Sequence, residues 1–146
     1  EMFSPPDQRI NGVDTFNVNF DAEHFFIAII PDDPKLANAF KSNIDAFNTK
    51  YYSSRSFNLQ SNIYKEGKQL VILKSFNTAQ EIFGYLDSFN ADKDIFKGEV
   101  KKEMVEYYPI LGTNLPILYK KKNLEGYKLF YTDNYKKFLN SGQKQW

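Results

Sequence analysis

The residue best suited to chemistry is the single histidine, His24, which has Asp21 and Glu23 as near neighbours. An imidazole beside a carboxylate is the usual apparatus of general-base catalysis, and it is also half of a metal site. The spacing argues against both. His24 opens an apolar run that reads as a strand, where successive side chains leave on opposite faces, so Glu23 and His24 point apart. One histidine and no cysteine cannot complete a zinc-type ligand set. His24 is therefore read as structural or solvent-exposed. Asp32 and Asp33 could pair as acid and base, but Asp33 stands before Pro34 and is accounted for as a helix cap followed by proline at the first helical position. The seven glycines are scattered and form no phosphate-binding loop. The expectation is no catalytic residue, no cofactor and no metal ligand, hence no enzyme.

The elements around these residues start from Phe25-Phe26-Ile27-Ala28-Ile29-Ile30, a six-residue apolar run closed by Pro31, Asp32 and Asp33. It is too short to span a membrane and lacks the alternation of a half-wet strand, which predicts a central strand buried on both faces. Next, Leu36, Phe40, Ile44, Phe47 and Tyr51 recur at helical spacing and predict an amphipathic helix over 33–52. Phe57, Leu59 and Ile63 alternate with Asn58, Gln60 and Asn62 as in an edge strand, and Glu66-Gly67 is a hairpin signal. Leu70 to Leu73 is a second two-sided apolar run. Thr78-Ala79-Gln80-Glu81 is a capping box opening a helix over 78–90, with Ala79, Ile82, Phe83, Leu86 and Phe89 inward. Met104 to Leu111 is the last strand, and Pro109 within it suits an edge.

The order strand, helix, strand, strand, helix, strand is that of an α+β, ferredoxin-like βαββαβ domain. The predicted antiparallel order is 4-1-3-2, with both long helices on one face. Two related readings of this topology fail on particular residues. An acylphosphatase site needs an arginine where this chain has Pro31-Asp32-Asp33-Pro34, and an RNA-recognition strand needs a glycine and paired aromatics that Lys68 to Phe76 lacks.

A C-terminal helical extension follows. Thr113-Asn114-Leu115-Pro116 is read as capping a short helix to about Lys121, and Asn123 as capping another that carries Leu124, Tyr127, Phe130, Tyr131, Tyr135 and Phe138. The two-sided apolar strands need a cover on the face away from the long helices, and this aromatic extension is the largest candidate. Tyrosines keep a polar handle, which makes Tyr127, Tyr131 and Tyr135 the candidate partner surface. Residues 1–22 read as an extended lead-in or linker, with Thr15 to Phe20 as an edge strand or a segment lying against the domain. Residues 23–140 form the domain, and 141–146 a polar tail that reads as the natural end of the protein.

The chain has 146 residues, 17% of them aromatic, and 19 Lys+Arg against 18 Asp+Glu for a net charge of +1. One domain with an aromatic core is the natural reading, and near-neutrality argues against a nucleic-acid binder. The absence of cysteine suits either the cytoplasm or a bacterial envelope compartment. No segment resembles a transmembrane helix or a signal peptide, and the start at Glu1 suggests a piece excised from something longer, from which a signal could have been cut away.

His24-Phe25-Phe26-Ile27, Phe47-Asn48 with Tyr51, Leu73-Lys74-Ser75-Phe76, and Asn114-Leu115-Pro116-Ile117-Leu118-Tyr119 followed by Tyr127, Phe130 and Tyr135 resemble the C-terminal domain of certain Bacteroidetes proteins. These are the tetratricopeptide-repeat outer-membrane lipoproteins of gliding motility and type IX protein secretion (the SprE/PorW kind). The resemblance covers about residues 22–138. It implies a non-catalytic scaffold, part of a longer lipoprotein on the periplasmic face of the outer membrane. Its partners would be envelope proteins of the secretion or motility machinery, with no nucleic acid and no direct membrane insertion by this segment. A second resemblance, through Phe76-Asn77-Thr78-Ala79, is to the peptidoglycan-binding SPOR domain, although that family's glycine-rich signature is missing.

Overall fold

The computed structural model describes residues 15–139; the rest of the lead-in and the polar tail lie outside the described residues. The protein is α+β, with one four-stranded antiparallel sheet and several helices. Strand β1 (His24–Pro31) leads into helix α1 (Pro34–Tyr51), then β2 (Asn58–Lys65), β3 (Lys68–Phe76), α2 (Ala79–Ala91) and β4 (Glu106–Leu111). The C-terminal helices are α3 (Leu115–Lys121), α4 (Leu124–Asn134) and α5 (Lys136–Leu139). The sheet order is β2-β3-β1-β4, so the two continuous apolar runs are the inner strands and the alternating segment is an edge.

Local chemistry explains the element boundaries. Asp33 Oδ1 accepts from Lys35 N (3.0 Å) and Leu36 N (3.4 Å), with Pro34 at the first helical position. In the capping box, Thr78 Oγ1 accepts from Glu81 N (3.1 Å) while Glu81 Oε1 accepts from Asn77 N (2.6 Å), one residue before the cap. Glu66-Gly67 turns the β2–β3 hairpin with Gly67 at φ 81°, a conformation in which a side chain is strained.

In the centre of the sheet, Ile27 lies opposite both Ile72 on β3 and Tyr108 on β4. Phe26 packs toward α2, with its ring 5.1 Å from Phe89 and 6.1 Å from Tyr85. The Tyr85 hydroxyl donates to Asn48 Oδ1 (2.7 Å) and ties α2 to α1 on that face. Ile27 and Ile29 point to the opposite face, which α3 covers: Leu118 is fully buried, and Tyr119 meets Tyr64 of β2 with centroids 6.1 Å apart.

Of the two readings of Thr15 to Phe20, the second holds: the segment forms no strand and lies against the domain, and the Asn114 side chain clasps its backbone, accepting from Asn17 N (2.8 Å) and donating to Asn17 O (2.9 Å). Three expectations change. Asn114 is thereby occupied and makes no cap bond to α3. The last strand begins at Glu106 because Lys102–Met104 close a 3-10 turn. The aromatic helix breaks at Tyr135, which divides α4 from α5.

Candidate functional site

His24 is fully buried, and both ring nitrogens are engaged. Nδ1 lies 2.8 Å from the Ala22 carbonyl, which can only accept, so Nδ1 carries the proton. Nε2 is then the acceptor for the Tyr135 hydroxyl, also at 2.8 Å. Burial holds the imidazole below its ordinary pKa and the Tyr135 phenol above its own. This is a neutral, doubly bonded pair joining residues 111 positions apart. Of the two readings of His24, structural or exposed, the geometry takes the first. Asp32 and Asp33 do not face each other as a dyad: Asp33 caps α1, and Asp32 Oδ1 accepts from Gln69 Nε2 (2.9 Å). Among the described residues no three histidines or carboxylates gather as a metal site.

Tyr127, Tyr131 and Tyr135, the candidate partner surface, are all buried within the chain's own core, so their rings are not open to a partner in this arrangement. The reason is the position of α4. It lies along the outer edge of β4, where the Tyr127 hydroxyl donates to the Pro109 carbonyl (2.5 Å). Tyr108 of β4 meets the edges of the Tyr127 and Tyr131 rings at 6.3 and 5.6 Å. Beyond the strand, Tyr131 and Tyr135 reach Phe83 of α2 at 6.5 and 6.0 Å. Proline removes an edge N–H, and Tyr127 takes the carbonyl of the same residue; the edge offers little to a passing strand. The 15–22 segment covers α4 in turn, Phe16 against Tyr127 (5.1 Å) and Phe20 against Tyr135 (5.2 Å).

At the other side of the sheet, β2 has no strand outside it among the described residues. It carries Leu59 and Ile63 on the α1 side, where Lys41 Nζ donates to Ser61 Oγ (3.1 Å). Ile63 is 60% exposed, a large apolar side chain at an unpaired strand edge. No proline blunts this strand; a register irregularity between Ile63 and Lys65 bends only its hairpin end. Sequence reasoning saw β2 as an edge from its alternation. It missed that the tyrosines would close the opposite edge; Pro109 was the available signal.

Several clefts open among the described residues. One lies at the end of α1 between Asn48, Tyr52, Arg55 and Phe57. A second lies between Phe20, Thr78 and Lys137. The third, of about 220 Å³, is walled by the β2–β3 hairpin and the α3–α4 junction. No helix among the described residues is long and apolar enough to cross a membrane. No family model, curated protein or solved structure matches this chain.

Proposed function

We propose that this chain is a non-catalytic protein-interaction domain of a larger cell-envelope protein, and that its docking element is the β2 edge. The observation that carries this reading is the difference between the two edges. One is sealed by the chain's own aromatic helix, while the other is unpaired and displays Ile63. An extended segment added to such an edge gains main-chain hydrogen bonds for affinity and side-chain contacts for selectivity. The finer fold assignment is ferredoxin-like, with α3 to α5 integral to the domain. In keeping with the resemblance in the sequence, the parent is a repeat-bearing lipoprotein at the periplasmic face of the outer membrane. Its partners are components of protein secretion or gliding motility.

The competing glycan reading, a SPOR-like module, needs an open sheet face with exposed aromatics. Here α3 and Tyr119 occupy the face away from α1 and α2.

The test is purification of the full-length parent from envelope membranes, beside the same protein carrying Ile63→Lys. Scaffolding through β2 predicts co-purification of secretion or motility components that drops at least tenfold in the variant, and no retention on purified sacculi. Saturable binding to naked sacculi, indifferent to Ile63→Lys, would overturn the ranking in favour of the glycan module.

A further inference from the structure

The cleft between the β2–β3 hairpin and the α3–α4 junction concentrates positive charge without using it. Lys65 and Lys68 are directly opposed across the hairpin and both line the cleft, a like-charge pairing that costs stability unless something answers it. Lys122 brings a third ammonium, its Nζ 5.2 Å from the Tyr64 ring centroid and 5.0 Å from that of Tyr119; Lys65 Nζ is 6.0 Å from the same Tyr64 ring. Lys122 is held there in the left-handed conformation, φ 53°, the one non-glycine residue at positive φ among those described.

Two carboxylates, Glu106 and Glu125, also line the cleft. Both are taken by Lys128 Nζ, at 3.3 and 3.2 Å. Lys65, Lys68 and Lys122 have no carboxylate within ion-pair distance among the described residues. The first turn of the eleven-residue α4 opens on the same cleft, and its N-terminal dipole adds to the positive potential. Tyr64, 1% exposed, lines the cleft beneath Lys65 and Lys122, with its hydroxyl out of reach of solvent.

We infer that this cleft is a binding site for a phosphate-type oxyanion, held by Lys65, Lys68 and Lys122. Lysines without an arginine suit a tetrahedral oxyanion bound by point charges better than a planar carboxylate bound through a fork. The volume of about 220 Å³ admits inorganic phosphate or one terminal phosphomonoester. The site takes Tyr64 and Lys65 from the hairpin end of β2 but does not include Ile63, on which the interaction proposed above is tested.

The test is titration of the full chain with inorganic phosphate at constant ionic strength, followed by amide chemical shifts. Saturable shifts are expected at Tyr64, Lys65, Lys68, Leu124 and Glu125. Lys122→Asn, which keeps a residue at ease in the left-handed conformation, should weaken binding about tenfold. Lys65→Gln provides a second charge variant, and Lys101→Gln, outside the cleft, should bind as the parent does. Sedimentation with phosphatidylcholine vesicles carrying phosphatidic acid separates the two sources. Vesicle binding lost in Lys122→Asn and competed by phosphate identifies a lipid headgroup, whereas shifts without vesicle binding identify the free anion. Absence of saturable shifts, or affinity unchanged in Lys122→Asn and Lys65→Gln, would overturn the inference.

Discussion

His24 shows how a residue with the chemistry of a catalyst becomes a fastener. Its Nδ1 proton goes to the Ala22 carbonyl and its Nε2 lone pair receives the Tyr135 proton, so neither nitrogen remains to do work. Removing the phenol hydroxyl by Tyr135→Phe leaves a buried acceptor unpaired and should cost about 1–3 kcal/mol in urea unfolding. The pH dependence follows from the lowered pKa. The folded state favours the neutral ring, so the unfolded chain binds the extra proton as pH falls below the ordinary value of 6.5. Stability is therefore full above pH 6.5 and declines below it toward the folded-state pKa. His24→Gln should remove that acid-side slope, because the chain has no other histidine. The spacing of Glu23 and His24 predicts that their side chains leave the strand on opposite faces. It could not name Tyr135, whose contact closes 111 residues and depends on where α4 docks.

The elements themselves were the most legible part. Periodicity predicted α1 and α2 to within a residue or two, and the two continuous apolar runs are the inner strands because only there are both faces covered. Ile27 and Ile72, opposed at the centre of that pair, are both buried. Truncating either to Ala should cost about 2–5 kcal/mol, measured by chemical denaturation, with the larger loss where the surroundings collapse least. Legibility ended where a side chain had two uses. Asn114 stands at a helix start and has the chemistry of a cap, yet both ends of its amide are spent on the backbone of Asn17. The same limit applied to Thr15 to Phe20, whose alternation signals an apolar face but not whether a strand or a packed coil carries it. Tyr127, Tyr131 and Tyr135 were read as a partner surface and are buried within the chain instead, because sequence does not say which side of the sheet a helix will close.

For the whole molecule, α4 is the keystone of the account. It covers the β4 edge, ends at Tyr135, the partner of His24, and with that residue receives Phe16 and Phe20 from the opposite end of the chain. Ending the chain after Lys122 should expose Tyr108, Phe83 and the Pro109 carbonyl together. The truncated protein should aggregate or lose its cooperative thermal transition, as seen by circular dichroism and gel filtration. The central claim, that one sheet edge is closed from within and the other left open for a partner, is tested most directly by native-state hydrogen exchange resolved by residue. The account predicts slow exchange throughout β1, β3 and β4. Along β2 it predicts an alternation in which every second amide, the one facing away from β3, exchanges orders of magnitude faster. Uniform protection along Asn58–Lys65, or β4 amides exchanging as fast as the exposed set of β2, would contradict it.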